Sequence, residues 1–417
     1  MEKIASVSKR VLIVCQHFWP ESFRINDIAD FFVESGASVD VLCGLPNYPK
    51  GEFTKGYGYF GKRHEIHNTI RIDRVLEIKR GNNSSLRIFL NYISYPFFSL
   101  FHIPKLLFRH YDHIFIYQLS PVMMALPGIL VGKIKHIPTT MYVLDLWPEN
   151  LYSVLAIKNP LFRRIAETVS HWHYKHVDKL VVLSEKMKTR LMEVTGITPE
   201  NIIVLPQACE KIYEQKMHDS ALASRFSKGF NIVYTGNISP AQSFETVIAA
   251  AIQLRDSGIT DMNWIIVGDG MSRKWLEKEV AVAGLEKSFY FEGQKPIDDI
   301  PKYTDIADVL IGCLVKSDLL EATIPAKVMS YLAAGKPMVL AMDGEVRDLV
   351  NNSIKCGYVG PAGDSTLFAE HINKIYGLSK KERQWMGEKA REYHFKHFER
   401  NINLSKLYDF IFNANTL

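Results

Sequence analysis

The sequence predicts an α/β protein made of two doubly wound units. Short, nearly continuous apolar runs alternate with longer amphipathic segments along the chain, the pattern of parallel sheets covered by helices on both faces. The runs fall into two successive series, which argues for two sheets rather than one. The 417 residues also suit two domains at ~100–200 residues each.

The first series predicts strands at Val11–Cys15, Val39–Cys43, Ile114–Tyr117, Thr139–Leu144 and Leu180–Leu183, with helices at Ile25–Ser35 and Arg163–His176. The second predicts strands at Asn231–Thr235, Trp264–Val267, Phe289–Glu292, Val309–Gly312 and Met338–Ala341. Its helices are Phe244–Leu254, Met271–Ala283 and Ala326–Ala334. The polar stretch Glu210–Gly229 carries many charges and no strand pattern, so the boundary is expected there. That gives a first domain at 1–209 and a second at 210–385. Residues 386–417 belong to an aromatic-rich helical tail, Lys380–Phe412, that needs a surface and is expected to cross back to the first domain.

Composition narrows the function. Apolar residues are 47% and charged residues 23%, which excludes wholesale disorder. The five cysteines are dispersed and odd in number, arguing against a disulfide scaffold or a zinc cluster and for a reducing compartment. Residues 1–200 hold 25 basic and 18 acidic side chains, and residues 201–417 hold 25 and 27. The basic surplus of the first half suggests an anionic partner. Its positive residues are scattered without a nucleic-acid motif, so nucleic acid is not expected. The polar start, Met1–Arg10, does not read as a secretory leader. No uncharged apolar run reaches ~18 residues, so no transmembrane helix is expected. Ile88–Pro104 is aromatic-rich and flanked by Lys79, Arg80, Arg87, Lys105 and Arg109. It reads either as a helix packed on the sheet or as a surface that also touches anionic lipid.

Three strands of the second series end in glycine: Gly236, then Gly268 and Gly270, then Gly293. Glycine after a strand permits a close turn and presents backbone N–H groups to an anion. Three in a row along the carboxyl edge of one sheet favour a nucleotide site. Pro325 is suited to open a helix. It places Lys327 in the first turn, where a cation is disfavoured unless an anion binds. Arg273 is either a further donor contact or a solvated helix residue.

These fragments, TGNISPAQSFETVIAA, IIVGDGMSRKWLE, FYFEGQKP and PAKVMSYLAAGKPMVLAMDGE, resemble glycosyltransferase family 4 in order and spacing. In the first half, HFWPESFRINDIADFF, VDVLCGLPNYPKG and YVLDLWPENL resemble it too. The subgroup most similar comprises bacterial N-acetyl-L-fucosamine transferases of O-antigen and capsule synthesis. The resemblance implies the GT-B fold: two Rossmann-like domains facing a cleft. It also implies retaining transfer from a UDP-sugar, an N-acetylamino sugar, to a polyprenyl-diphosphate-linked saccharide. The enzyme would then lie peripherally at the inner face of the cytoplasmic membrane.

The chain departs from the wider family at three places. Asn237 and Gln242 stand where the family has its diphosphate-gripping Arg and Lys. The paired glutamates fall on Ala322 and Ser330, with Glu321 one residue from the first. Lys327 is therefore expected to take over charge neutralisation, with Glu321 kept as a catalytic candidate. Ser330 and Tyr331 are candidate ribose contacts. No Asp-x-Asp pair occurs, so no metal or other cofactor is expected to be required. Asp145 follows a strand, and either serves the acceptor hydroxyl, as base or anchor, or caps a helix. Glu21, Arg24, Asn47, Tyr48 and Trp147 are acceptor-side candidates; Arg24 is either a phosphate contact or a helix-surface residue. His171, His173 and His176 read as helix surface rather than zinc ligands. Two rival readings remain: an enzyme like the UDP-N-acetylglucosamine 2-epimerases, and a non-catalytic sugar-nucleotide binder.

Overall fold

A computed structural model describes residues 9–48, 50–82, 84–149, 151, 159–321 and 323–412. The chain forms two compact units. One comprises Met1–Leu205 and Leu404–Leu417, the other Pro206–Asn403. The chain thus passes between units at Leu205/Pro206, four residues ahead of the expected 209/210, and again at Asn403/Leu404.

The first unit holds strands β1 (Arg10–Val14), β2 (Ser38–Cys43), β3 (His64–His67), β4 (Ile70–Arg74), β5 (His113–Gln118), β6 (Thr139–Val143), β7 (Lys179–Val182) and β8 (Ile202–Val204). Their order is β3-β4-β2-β1-β5-β6-β7-β8. Every pairing is parallel except β3–β4. The sequence reading lacks β3, β4 and β8. β3 and β4 hide because charges interrupt the apolar pattern. Arg74 is buried against Glu65, and Asp73 is held by Lys105 and Arg109 at 2.8 Å each. Asn68 and Thr69, both at positive φ, make the tight turn between them.

The second unit holds β9 (Phe230–Thr235), β10 (Met262–Val267), β11 (Phe289–Gly293), β12 (Val309–Cys313), β13 (Met338–Ala341) and β14 (Gly357–Gly360). The order is β11-β10-β9-β12-β13-β14, all parallel. β14 was not predicted, since two of its four residues are glycine. Alternate β9 residues serve opposite faces. Ile232 and Tyr234 join one buried cluster with Phe244 and Phe368, while Val233 joins another with Val328 and Tyr331. The stretch Glu210–Gly229 is strandless as expected but contains a 3-10 turn, Lys211–Glu214, and a helix, Ser220–Arg225.

The tail is two helices, Lys380–His397 and Arg400–Phe412. A capping box of Ser379 and Glu382 opens the first. Glu399 Oε2 accepts the Ile402 N–H at 2.8 Å and starts the second. The residues from Leu404 onward count with the first unit. There Phe412 packs edge-on to Phe32 and His113, and Lys179 Nζ donates to the Phe410 carbonyl at 2.6 Å.

Candidate functional site

In doubly wound sheets, ligands bind at the carboxyl edge where strand order reverses. In the second unit that point lies between β9 and β12. Their ladder covers only Val309↔Ile232 and Leu310↔Val233, after which the strands part. Tyr331 fills the root of the gap. Its hydroxyl accepts the Thr235 N–H at 3.1 Å and donates to the Ile311 carbonyl at 3.0 Å. Lys327 lies one helical turn earlier on the same face of the helix Ala326–Ala334, so it enters the same crevice. Gly312 makes room, since a Cβ there would stand 3.3 Å from Lys327 Cδ. The ammonium sits 4.0 Å from the Tyr234 ring centroid and donates to Gln242 Oε1 at 2.5 Å. Tyr234 Oη donates to the Asn237 carbonyl at 2.6 Å. Burial pushes the Lys327 ammonium down to about 7, the thiol of Cys313 opposing this only in part.

The neighbouring loops are laced by backbone. Gly236 N–H donates to the Val267 carbonyl, Gly268 N–H to the Gly293 carbonyl and Ile238 N–H to the Asp269 carbonyl, each at 2.9 Å. Gly236, Gly268, Gly270 and Gly293 all have positive φ. At Gly268 a Cβ would collide with the Gly236 carbonyl, and at Gly270 with the Ile238 carbonyl and Asn237 Oδ1. These glycines are required by close approach as well as by φ. Arg273 opens the helix Arg273–Val282. Its guanidinium bonds Glu277 at 2.9 Å and Asp269 at 3.3 Å, and would lie 3.3 Å from a Cβ on Gly293.

Not every expected donor residue faces the crevice. Tyr331 is fully buried with its hydroxyl used twice, so it holds the sheet and is not a ribose contact. Ser330 is half-buried and reaches back only to the Ala326 carbonyl at 3.4 Å. Pro325 caps the helix rather than occupying its first turn. Glu321 ends the short helix Asp318–Glu321, its backbone packed where a Cβ on Gly344 would fall. Ala322 lies outside the described residues.

At the first unit's edge, side chains dominate. Glu21 is buried, with one oxygen on His17 Nδ1 at 2.8 Å and the other accepting the N–H groups of Asn47 at 2.7 Å and Tyr48 at 2.6 Å. Buried and holding these three partners, it positions that loop rather than orienting an acceptor hydroxyl, contrary to expectation. Asn47 Nδ2 donates to Glu77 Oε1 at 2.7 Å, and Gln16 Nε2 to Glu77 Oε2 at 2.9 Å. Burial, reinforced by the nearby Glu21 charge, pushes Glu77 up to about 8 despite these bonds. Arg80 lies 3.4 Å from His17 Nε2 and over the rings of Tyr48 and Tyr92. Tyr48 is exposed, and Arg24 begins the helix Arg24–Glu34.

Asp145 follows β6. Its Oδ2 accepts the Ser120 N–H at 2.9 Å and the Ser120 hydroxyl at 2.8 Å. Trp147 is buried, donating from Nε1 to Ser120 Oγ at 2.9 Å, while its own N–H reaches Tyr174 Oη at 3.0 Å. Trp147 therefore braces Asp145 and is no acceptor contact. Sequence reasoning missed Glu77, Arg80, Asn91 and Ser120 as members of this edge, and Tyr234 and Gly312 in the second unit.

The helix Ser85–Ser99 is inside out. Asn91, Ser94, Tyr95 and Ser99 are buried, whereas Leu86, Phe89, Ile93 and Phe97 are exposed. Leu100, Phe101 and Phe108 continue the exposed face. The inward polar groups are satisfied: Asn91 donates to the Ile78 carbonyl at 2.7 Å and Tyr95 to the Cys15 carbonyl at 3.1 Å. The flanking charges are mostly spent within the unit, Lys79 on Glu52 and Lys105 and Arg109 on Asp73. No helix among the described residues is long and apolar enough to cross a membrane.

Comparison with known proteins shows what this chain is similar to. Residues 221–393 match the family model described as Glycosyl transferases group 1. Unit architecture agrees: the chain superposes on Anabaena HepE, solved with UDP and glucose, with a TM-score of 0.69 at 16% identity over 96% of this chain and 98% of that one. The fold is GT-B, and the family match lies within the second unit. Among curated proteins, the chain is 24% identical over 349 residues to WcaI of Escherichia coli (strain K12), named for colanic acid biosynthesis and glycosyl transfer. That match covers 80% of this chain and 83% of the relative. It is 23% identical over 192 residues to AmsK of Erwinia amylovora, an amylovoran biosynthesis glycosyltransferase, over 44% of this chain and 47% of the relative.

Proposed function

We propose that this protein is a glycosyltransferase that moves a sugar, an N-acetylamino sugar, from a UDP-sugar to a polyprenyl-diphosphate-linked saccharide in bacterial surface-polysaccharide assembly, with retention at the anomeric carbon. The observation that carries the donor side is Lys327, half-buried at the parting of β9 and β12 amid glycine-edged loops. A diphosphate there would restore the ammonium, which would stabilise its charge; the amides of Gly236, Ile238 and Gly268, expected to meet the anion, are instead spent on carbonyls. One phosphate charge ~4 Å away is worth roughly 4 kcal/mol at an effective dielectric of 20, before desolvation. Arg273 would add a second cation by exchanging its carboxylate partners for phosphate. The polysaccharide setting is supported by the names of WcaI and AmsK, and the UDP donor by the ligand of HepE.

In this reading the departing phosphate takes the acceptor proton on the same face of the sugar, and Lys327 stabilises the charge that develops on the leaving diphosphate. Asp145, held by Ser120, anchors the acceptor hydroxyl. Tyr48 and Arg80 offer a stacking face and a cation to the acceptor. The inside-out helix Ser85–Ser99 supports a peripheral seat on the membrane that carries a lipid-linked acceptor, since an apolar face of this size seeks an apolar medium. That seat rests on apolar burial more than on the basic surplus.

The test is a donor screen. Purified protein, membrane extract and EDTA are incubated with a panel of UDP-sugars, and UDP release is followed. Acceptor-dependent release from one donor is expected, with product retaining the donor's anomeric configuration. Failure of every UDP-sugar to bind overturns the donor site. Release that requires a divalent ion overturns the metal-independent route. In vesicle flotation, Phe97→Ser with Phe101→Ser should lose most membrane binding; unchanged flotation removes this helix from the membrane contact.

A further inference from the structure

Outside both sheet edges, three side chains of different chemistry meet in the second unit. Cys209 follows the point where the chain enters that unit. Glu214 ends the 3-10 turn Lys211–Glu214, and His394 lies in the last turn of the helix Lys380–His397. Cys209 Sγ is 3.8 Å from His394 Nε2, which is 3.1 Å from Glu214 Oε1. All three ligand atoms fall within 4.8 Å of one another. Cys209 is 1% and His394 0% exposed, and the Glu214 side chain is 11% exposed.

We propose that Cys209 Sγ, Glu214 Oε1 and His394 Nε2 form a binding site for a zinc ion. A tetrahedral Zn²⁺ with ordinary bond lengths separates sulfur from nitrogen by about 3.6 Å and nitrogen from carboxylate oxygen by about 3.3 Å. The sulfur–nitrogen and nitrogen–oxygen separations lie within a few tenths of an ångström of these; sulfur and carboxylate oxygen, within 4.8 Å of each other, would draw together to about 3.6 Å on binding. Thiolate, imidazole and carboxylate together suit zinc and exclude magnesium and calcium, which take oxygen ligands. Thiolate and carboxylate also balance the ion's two charges, which matters in a buried place. His394 Nδ1 is buried with no hydrogen-bond partner, so no contact locks the ring against ligation through Nε2. Arg391 lies nearby, but its guanidinium is engaged by the carbonyls of Ala333 at 2.6 Å and Glu214 at 2.5 Å. Three protein ligands leave a fourth position for water.

The ion would act as a tether, keeping the open fourth position that a closed four-ligand structural site lacks. It would fasten the segment by which the chain enters the second unit to the helix that precedes its exit at Asn403. It is separate from the donor crevice, and its loss should leave donor binding to the isolated protein intact.

The experiment uses the full chain, stripped with EDTA and dialysed. Zinc is titrated against a chromophoric chelator, and cobalt(II) is added separately. One equivalent of zinc is expected, with a thiolate-to-cobalt charge-transfer band in the near ultraviolet and a raised melting temperature. Cys209→Ala should abolish the band, and Glu214→Gln should weaken zinc by about tenfold or more. Cys356→Ala should change neither. Circular dichroism checks that each variant is folded; if Cys209→Ala does not fold, Glu214→Gln decides. Absence of stoichiometric zinc in the native protein overturns the site. So does a cobalt band that survives Cys209→Ala, or zinc affinity unmoved in Glu214→Gln.

Discussion

The carboxyl edges of the two sheets are built from different materials. The second unit presents backbone: four glycines at positive φ, loops laced by N–H to carbonyl bonds, and one half-buried lysine. The first presents side chains: Gln16, His17, Glu21, Asn47, Glu77, Arg80 and Asn91 in one buried or half-buried network. A close-packed backbone edge with one cation suits a phosphate that every nucleotide donor shares. Side-chain networks suit a partner whose hydroxyl pattern must be told from its epimers, because a buried polar group left unpaired is costly. On the proposed function, the second unit's edge would be generic, and the first unit's edge would be where this chain is individual.

The largest effect should come from Lys327, the lysine of the backbone-built edge. Lys327→Met is expected to lower turnover by roughly 10²–10³, the range for losing one preorganised charge-stabilising group. Wild-type levels of UDP release would remove Lys327 from the donor site. The same lysine sets a pH dependence. Its folded value of about 7 lies below the unfolded value, so its burial disfavours folding most below pH 7, and the penalty is relieved as pH rises from about 7 toward the unfolded pKa. Anion binding needs the ammonium, so UDP affinity should fall by up to about tenfold per pH unit above 7. Calorimetry across pH 6–9 checks this, and Lys327→Met should flatten the profile.

Gly268→Ala tests the backbone itself. Positive φ and the Gly236 carbonyl both oppose a Cβ, so a loss of ~1–3 kcal/mol or more is expected in denaturant melts. At the side-chain edge, Glu77 titrates high, so its contribution to stability is present below the unfolded pKa and is lost as pH climbs through about 8. Glu77→Gln should flatten the melting temperature between pH 5 and 8 and gain on wild type at the alkaline end. The smallest effect is Tyr331→Phe, which leaves the Thr235 N–H and the Ile311 carbonyl unpaired at a cost of about 1–3 kcal/mol. Folded Tyr331→Phe should still bind UDP, because the hydroxyl serves the sheet.

This contrast also explains what was legible. Buried parallel strands announce themselves as apolar runs, and ten were located with ends off by a residue or two. Strand-end glycines and Lys327 were visible because turn geometry and helix-end electrostatics are local properties. β3 and β4 were not, since Glu65, Asp73 and Arg74 break the apolar alternation and are reconciled only by partners such as Lys105 and Arg109. The His17 network escaped for a similar reason: His17 meets Arg80 across 63 residues. Tyr331 and Trp147 misled because an aromatic with a polar tip beside a motif looks like a ligand contact. Only the distances show that the tip is already used. Cys209 and His394, 185 residues apart, defeated any reading by ligand spacing.

The division of the chain has a consequence for how the molecule is made. The second unit is one continuous stretch, Pro206–Asn403, whereas the first needs the segment after Leu404. Phe32 and His113 wait for Phe412. On the ribosome, the unit begun first is therefore finished last. Its sheet must stand with an uncovered aromatic face while some two hundred residues are synthesised at ~5–20 per second, an interval of roughly 10–40 seconds. A chaperone that recognises bare aromatic surface would find its substrate in the first unit during that interval, with the second unit already able to close on its own.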